Sequence, residues 1–298
     1  VFTYAEVDEL LVENNVCRGV KMTNGDEIKA DVVFTNVGFM NTVKRLFPQA
    51  SRQQHNVEKW INTDAIEYSK STHCLYAGFK GTAKELGLNT TNLWIYPNGD
   101  HDANVANYVK DSSNPLPLIY VSFPSSKDPD WENRFPGKST VEIVTIANMN
   151  DYEQWNGTTW QQRGEDYEAK KEQLSKQLLD VLFERLPQLR DALDYYEFST
   201  PLSTQFYQLN AKGEIYGLDH FVDRFKQSCL HPQMPIKNLY MTGADAMTAG
   251  VGGGLMGGVM STMCMLGLKK GKAVMDLFKN YQEPKSENNQ PQGKQEAA

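Results

Sequence analysis

The residues best suited to chemistry lie between Leu239 and Gly258, where a short apolar strand leads into a glycine-rich turn. The strand ends at residues 242–245 (TGAD), and residues 250–254 (GVGGG) then open a helix of small residues. Such a helix N-terminus presents backbone N–H groups, its macrodipole favours anionic or electron-rich ligand atoms, and the missing Cβ atoms permit close approach. The segment therefore predicts a site for a flat, partly anionic cofactor.

Three interpretations of this segment remain open. Residues 252–257 match the G-x-G-x-x-G pattern of a dinucleotide-binding turn, although the acid expected about 20 residues later falls at Asp276, inside a helical pattern. Residues 246–268 carry no charge and contain G-x-x-x-G repeats, as membrane helices do, but they hold much glycine and little leucine, isoleucine or valine. The third interpretation, a buried helix packed against a cofactor and a sheet, is favoured by the preceding strand and by Asp245.

Three further residues could transfer a proton. His220 follows residues 216–219 (YGLD) and could protonate a substrate carbanion, although a histidine in a turn is more often a hydrogen-bonding or solvent residue. Tyr207 and Tyr216 could line an apolar channel or donate a proton, although buried structural tyrosines are commoner. The sequence leaves the catalytic acid unknown.

The remaining histidines and the cysteines predict no metal site. The histidines have no metal-ligand spacing, and the cysteines contain no C-x-x-C pair, so reduced, mostly buried thiols are expected. These residues are His55, His73, His101, His231, Cys17, Cys74, Cys229 and Cys264.

Hydrophobic periodicity predicts the elements that position these residues. Alternating and β-branched runs predict strands at 7–12, 19–22, 32–34, 72–79, 92–96, 118–123 and 141–147. Asn24 and Gly25 suit a tight hairpin turn, since a type I′ turn needs positive φ at both central positions. Apolar residues at three- and four-residue spacing predict a long helix at 165–186. The polar tail at 281–298 is expected to be disordered.

Composition narrows the function classes. The chain of 298 residues is 40% hydrophobic and 22% charged, which is typical of a globular protein with a sizeable core. Its net charge of -7 provides no basic surface for nucleic acid, so nucleic acid is not expected as a partner. The chain begins at Val1 as though already within a strand, so a truncated start is the simplest expectation and localisation cannot be read from it.

Several separated motifs carry a resemblance to a known family. They are residues 79–86 (FKGTAKEL), 123–137 (FPSSKDPDWENRFPG), 200–207 (TPLSTQFY), 213–220 (GEIYGLDH) and 239–258. In this order they closely resemble the C-terminal region of FAD-dependent oxidoreductases of the retinol saturase, carotenoid isomerase and phytoene desaturase type. The resemblance covers nearly the whole chain except the tail. It implies a partial flavoprotein whose N-terminal dinucleotide turn lies outside this sequence.

The resemblance implies an α/β fold with a FAD site. Residues 1–49 and 232–280 would form the C-terminal half of a FAD-binding Rossmann-like domain, and residues 50–231 an inserted mixed α+β substrate domain. The implied cofactor-binding residues are Val7 beside the adenine, Gly243 and Asp245 near the ribityl-pyrophosphate, and Gly250, Gly252 and Gly253 near the isoalloxazine.

The implied activity is reduction of a conjugated carbon-carbon double bond of a retinoid, of the type that converts all-trans-retinol to 13,14-dihydroretinol. Reduced FAD delivers a hydride and a proton reaches the other carbon, with NAD or NADP as a possible electron donor. An apolar retinoid or polyene substrate implies peripheral association with the endoplasmic reticulum membrane.

Two alternatives stay open. A carotenoid cis-trans isomerase would use the same reduced FAD without net redox change, although such relatives usually carry proline where this chain has Ala249, which favours the retinol saturase branch. A truncated or decayed paralogue that binds an apolar ligand would not be an enzyme. The isolated chain is expected to be inactive, and the enzymatic prediction concerns its parent protein.

Overall fold

The computed structural model describes residues 1–280, which form two compact units. The first unit combines Val1–Asn36 with the chain from Cys229 onward, and the second is Val37–Ser228. These divisions fall at 36 and 229, whereas the sequence analysis placed them at 49 and 232. The roles assigned to the two domains stay predictions. The tail predicted to be disordered, 281–298, lies outside the described residues.

Strands and helices alternate irregularly along the described chain. The strands are β1 Val7–Glu13, β2 Val16–Met22, β3 Glu27–Lys29, β4 Val33–Thr35, β5 Ser71–Lys80, β6 Leu93–Ile95, β7 Ile119–Ser122, β8 Lys138–Ala147, β9 Leu193–Ser199 and β10 Leu239–Met241. The α-helices are α1 Phe39–Asn41, α2 Gln49–Gln54, α3 Val57–Ile61, α4 His101–Lys110, α5 Trp131–Arg134, α6 Glu165–Arg185, α7 Pro201–Gln208 and α8 Gly250–Asn280. A π-helical turn occupies Thr42–Leu46, and single 3-10 segments occupy Pro124–Ser126, Met149–Trp155, Pro187–Leu189, Arg224–Lys226, Ser228–Leu230 and Ala244–Ala246.

The first unit contains two small sheets and the helix α8. Strands β1, β2 and β3 form an antiparallel sheet, and β10 pairs with β4 in parallel. A hairpin turn joins β2 and β3 as predicted, with Gly25 at φ 91° and the Asn24 side chain donating to Asp26. The predicted type I′ geometry is wrong, because Asn24 does not share the positive φ that this turn requires at both central positions. Parallel pairing of two strands far apart in sequence is typical of α/β folds.

Helix α8 lies directly on the turn that follows β10. A Cβ atom at Gly257 would collide with the carbonyl oxygen of Gly243, so the missing side chain permits backbone-to-backbone packing. Ser261 Oγ donates to the Met241 carbonyl oxygen at 2.5 Å, which ties the next helical turn to the strand. The helix bends at Gly267, whose φ of 74° is not helical.

The second unit is built on an antiparallel sheet in the order β6-β7-β8-β5-β9. One face of this sheet packs against α6, and their shared core includes Leu75, Ile143, Leu178 and Leu182, each at most 1% exposed. The predicted strands at 72–79, 92–96, 118–123 and 141–147 correspond to β5, β6, β7 and β8. The predicted helix at 165–186 corresponds to α6.

His73 is a buried titratable group on the α6 side of this sheet. It is 1% exposed, and its Nε2 lies 2.7 Å from the Tyr152 hydroxyl. Burial, with a smaller contribution from the charge of Lys170, lowers the pKa of His73 to about 3. The folded protein therefore holds this imidazole neutral, whereas the unfolded chain protonates it near the ordinary histidine pKa of about 6.5.

Because of His73, the free energy of unfolding is predicted to fall as the pH decreases below 6.5. Between about pH 6.5 and 3 the unfolded chain binds a proton that the folded protein excludes, costing up to about 1.4 kcal/mol per pH unit. Urea unfolding at pH 5 to 6.5 should show a shallower pH slope for His73→Gln than for the wild type. The exposed control His101→Gln should keep the wild-type slope, and an unchanged slope in His73→Gln would contradict the account.

The backbone contact between α8 and the β10 turn yields a second prediction. Gly257→Ala should lower the free energy of unfolding by about 1–3 kcal/mol, because overpacking forces the helix and the turn apart. Within residues 1–280, no atom lies within 4 Å of a Cβ built at Gly254. Gly254→Ala should therefore be neutral or stabilise the helix by up to about 1 kcal/mol. Urea unfolding of both variants measures the difference, and equal stabilities would refute the close packing.

Candidate cofactor-binding site

The candidate site begins where β10 ends. All three residues of β10 are buried, and the backbone N–H of Thr242 donates to the Thr35 carbonyl oxygen of the neighbouring β4 at 2.9 Å. Gly243 follows at φ 85°, where a Cβ atom would collide with the Asn36 side chain. A glycine is therefore required here both by conformation and by space. The turn leaves the carboxyl end of the sheet, the edge at which α/β proteins bind ligands.

Asp245 occupies the 3-10 segment after this turn. Its side chain is only 6% exposed, in a position fixed by the backbone hydrogen bond from Ala246 N–H to the Gly243 carbonyl oxygen. A buried carboxylate at the carboxyl end of a parallel strand can accept hydrogen bonds from ligand hydroxyl groups. The role that the resemblance implies for Asp245 stays a prediction.

The first turns of α8 expose bare backbone. Gly250 starts the helix at φ 84°. Among the described residues, 1–280, no atom lies within 4 Å of a Cβ built at Gly250, Gly252 or Gly254. Gly253 differs, because a Cβ there would collide with the Thr248 carbonyl oxygen. The open glycines therefore leave room for close approach by a flat group, whereas Gly253 serves packing within the turn.

The exposed face of α8 corrects one expectation from the sequence. Gly253, Gly257 and Ser261 are buried, but Val251 is 93% and Leu255 61% exposed, so the helix is buried on one face only. The window Gly250–Gly267 is long and apolar enough to cross a membrane, with a mean hydropathy of 1.2 and 22% of it buried. By length and composition alone this is weak evidence for a span.

The predicted cofactor residues belong to one unit. Val7 is half-buried, begins β1 and pairs with Met22 of β2. It lies in the same unit as the turn after β10. Gly243, Asp245, Gly250 and Gly252 fall within ten residues of one another around that turn. Contact of each residue with a cofactor stays a prediction.

The predicted proton donors belong to the second unit. His220 is half-buried, and its ring nitrogens lie 3.1 and 3.2 Å from Nη1 of the buried Arg224. Tyr216 is 51% exposed, and its backbone N–H donates to Ser69 Oγ at 3.2 Å. His220 thus lies in a polar cluster beside a cation, and a catalytic role for either residue stays a prediction.

Tyr207 is part of an exposed aromatic cluster formed with Trp160 and Phe206. Trp160 stacks on Phe206 with ring centroids 5.0 Å apart, and Tyr207 meets Phe206 edge-on at 5.0 Å. The three side chains are 36–66% exposed. Tyr207 also lines a cavity of about 580 Å³ together with Tyr76 of β5. The cavity is not an apolar channel, because Arg163, Glu168 and Lys171 line it as well.

The face of the five-stranded sheet that points away from α6 was not identified from the sequence. Strand register places one apolar row across it, formed by Trp94, Tyr120, Val144 and Cys74. The Trp94 and Tyr120 rings lie 4.7 Å apart, and Trp94 is 58% exposed. The alternation of side chains along each strand can be read from the sequence. Which residues of neighbouring strands form one row depends on the pairing register, which the sequence pattern does not give.

A polar row lies two residues along the strands from the apolar row. Register aligns Ser122 with Glu142, Glu142 with Tyr76, and Tyr76 with Glu197. Lys127 Nζ donates to Ser122 Oγ at 2.8 Å, so the motif at 123–137 supplies a cation at the end of this row. Within residues 1–280, no group of three His, Cys, Asp or Glu side chains could hold a metal ion.

No protein-family model matches this chain, but curated relatives do. The chain is 33% identical over 268 residues to all-trans-retinol 13,14-reductase of Danio rerio, covering 86% of this chain and 44% of the relative. It is 31% identical over 278 residues to the Homo sapiens protein of the same name, covering 89% and 45%. The chain therefore spans less than half the length of these relatives.

Another relative is named as an inactive protein. The inactive all-trans-retinol 13,14-reductase of Danio rerio is 32% identical over 271 residues, covering 87% of this chain and 44% of the relative. At lower identity, the neurosporene-forming phytoene desaturase of Rhodobacter capsulatus is 27% identical over 249 residues, covering 80% and 44%. Similarity in this region alone therefore does not separate active from inactive proteins.

Solved structures bear on the fold. An oxidoreductase from Methanosarcina mazei matches with a TM-score of 0.52 at 18% identity, covering 87% of this chain and 48% of that one. Wild-type putrescine oxidase matches with a TM-score of 0.50 at 14% identity, covering 90% and 49%. The predicted α/β, Rossmann-like fold is confirmed. Over most of its length, this chain is homologous to proteins named all-trans-retinol 13,14-reductase at 30–33% identity, as its motifs predicted.

Proposed function

We propose that the protein containing this sequence is a FAD-dependent oxidoreductase that reduces a conjugated carbon-carbon double bond of a retinoid. The observation that carries the proposal is the open backbone at Gly250 and Gly252, next to the buried Asp245 at the end of a parallel strand. The names of the relatives, which act on retinol or on polyenes, support the choice of substrate class.

The residues present fit a flavin. Backbone at Gly250 and Gly252 would approach the isoalloxazine, because no atom of the described part of the chain occupies the space where their side chains would stand. Asp245 would accept hydrogen bonds from ribityl hydroxyls, and Gly243 would let the chain pass close to the pyrophosphate. Bound and reduced, FAD supplies the hydride, with NAD or NADP as the proposed electron source. The protein supplies orientation and the exclusion of water.

The substrate is proposed to lie on the open face of the second unit's sheet. The apolar row from Trp94 to Cys74 crosses four strands, a length of about 14 Å at the usual strand spacing. An extended apolar row of this kind suits a conjugated chain better than a compact polar metabolite. Aromatic rings at one end, Trp94 and Tyr120, would cover the flat faces of the polyene.

Peripheral association with the endoplasmic reticulum membrane is part of the proposal, since so apolar a substrate is drawn from lipid. The exposed cluster of Trp160, Phe206 and Tyr207 supports it, because tryptophan and tyrosine favour the interface between lipid and water.

Two other functions compete, each favoured by one observation. The phytoene desaturase relative favours a carotenoid substrate, which is the substrate class of the isomerase alternative. The inactive relative favours a protein that binds an apolar ligand without turnover. Product mass identifies the reductase, because saturation adds two hydrogens. Chromatographic retention separates the other two functions, because an isomerase yields an isomer of the same mass and a binding protein leaves the polyene unchanged.

Product analysis tests the proposal. The natural protein that contains this sequence, loaded with FAD and supplied with a reductant, should convert all-trans-retinol to a dihydro product seen by liquid chromatography and mass spectrometry. Gly252→Leu should reduce turnover at least about tenfold, because its side chain fills the space proposed for the flavin, a loss of about 1.4 kcal/mol in binding. Gly271→Ala, farther along α8, should behave as the wild type. A product of unchanged mass would contradict the reductase.

A further inference from the structure

The cavity of about 580 Å³ in the second unit is lined by charged and aromatic side chains together. It lies beside β9, the edge strand of the five-stranded sheet, and beside the first turns of α6. All its lining residues fall between positions 76 and 207, so it belongs to the second unit alone. Two cations, two carboxylates and five aromatic side chains form its wall. The flavin and the retinoid proposed above do not occupy it.

The two cations of the wall lie over the ring of Tyr167. The Arg163 guanidinium lies 5.2 Å and the Lys171 Nζ 5.7 Å from the ring centroid. Lys171 is paired with Glu168 at 3.3 Å, whereas Arg163 Nη2 donates to a neutral group, the Leu202 carbonyl oxygen, at 3.3 Å. Within residues 1–280, Arg163 forms no ion pair and its Nε has no hydrogen-bond partner. Since a guanidinium is always charged, Arg163 offers a positive charge to an oxyanion.

The wall also contains a carboxylate whose hydrogen-bond donor is neutral. Glu197 of β9 lies directly across from Tyr76 of β5, and it accepts from the Tyr195 hydroxyl at 3.2 Å. In the part of the chain that the structure describes, Glu197 forms no ion pair. Trp160 and Tyr207 line the same cavity, with ring centroids 5.8 Å apart. Aromatic faces beside a carboxylate suit a quaternary ammonium group, which is attracted to both.

These charges match a zwitterion better than a simple anion. Free phosphate would be attracted by Arg163 but repelled by Glu168 and Glu197, since the wall has no net charge. Phosphocholine carries both charges in one small group. Its phosphate fits the planar donor fork of an arginine, and its trimethylammonium group fits a carboxylate beside aromatic rings.

The exposed aromatic cluster favours a membrane lipid as the source of this headgroup. Trp160, Phe206 and Tyr207 are 36–66% exposed, and Trp160 and Tyr207 also line the cavity. Tryptophan and tyrosine favour the headgroup level of a membrane. A membrane that meets the cluster therefore presents its headgroups at the cavity. The net charge of -7 gives this chain no general attraction to anionic lipid, which leaves a zwitterionic headgroup as the better match.

Resting on the peripheral membrane association proposed above, we propose that this cavity binds the phosphocholine headgroup of a membrane phospholipid. Arg163 pairs with the phosphate, and Glu197 pairs with the trimethylammonium group. Trp160 and Tyr207 face the lipid surface beside the bound headgroup. The site takes no part in the reaction, and it holds the second unit against the surface from which an apolar substrate is drawn.

Calorimetric titration with soluble phosphocholine tests the site without a membrane. The natural protein that contains this sequence should bind phosphocholine saturably and more tightly than inorganic phosphate or choline. Arg163→Gln should weaken binding at least about tenfold, the usual loss of one hydrogen bond to a charged group. Arg163→Lys should keep part of the affinity, and thermal unfolding shows that each variant is folded.

Arg190→Gln is the matched control for these variants. Arg190 also lies over an aromatic ring, 4.8 Å from the centroid of Phe183, but it does not line this cavity. Its substitution should leave phosphocholine binding unchanged. Absence of phosphocholine binding by the natural protein would overturn the proposed site. Inorganic phosphate binding as tightly as phosphocholine would overturn the zwitterionic assignment.

Vesicle flotation tests the lipid source. The natural protein should float with vesicles of phosphatidylcholine more than with vesicles of phosphatidylglycerol, and Arg163→Gln should lose this preference. Equal flotation with both, unchanged in Arg163→Gln, would overturn the headgroup site and leave the membrane association intact. Flotation with neither, while soluble phosphocholine binds, would overturn the membrane association and the lipid source together. Neither assay needs turnover, so failure of the reductase proposal would be seen separately in product analysis.

Discussion

The first unit is organised by a direct backbone contact between helix α8 and the turn after β10. Helix α8 meets the turn after β10 at Gly257 and Gly243, and a side chain at either position would collide with its neighbour. Because the helix lies so close to the strand end, its N-terminal glycines stand beside Asp245 at the carboxyl edge of β4 and β10. Open backbone, a helix dipole and a buried carboxylate then converge in one place, which suits a flat cofactor with anionic groups.

In the second unit, the two faces of the five-stranded sheet carry different kinds of side chain. The face toward α6 is a packed aliphatic core, and the neutral buried His73 lies on this side. The opposite face keeps an apolar row beside a polar one, at a separation of two residues along each strand. The pairing register, held by the core behind the sheet, keeps both rows aligned across the strands.

Much of the fold could be predicted from the sequence, because local residue patterns indicate many of its strands and helices. Period-two alternation predicted β5 and β8, three- and four-residue spacing predicted α6, and the glycines after β10 indicated the turn. The motif resemblance predicted the α/β fold that the solved structures confirm. Strand β9 and helix α7 were missed, since their segments lack a clear apolar period and their positions depend on tertiary packing.

The candidate site was predicted less completely. The glycines near Asp245 were identified because they are close together in the sequence. The polar row through Tyr76 was not identified. Its members come from four strands, β7, β8, β5 and β9, so only the pairing register brings them together. The same limit applies to α8, which was expected to be buried but exposes Val251 and Leu255, because a sequence pattern does not show which helix face is covered.

The most direct test of the account is the visible spectrum of the natural protein that contains this sequence, recorded after incubation with FAD and removal of free flavin by gel filtration. Flavin should stay with the protein, and its absorption bands should shift on binding to the open backbone of α8. Loss of all flavin from a folded protein would mean that the glycine turn after Asp245 serves packing alone, and the oxidoreductase proposal would have to be abandoned.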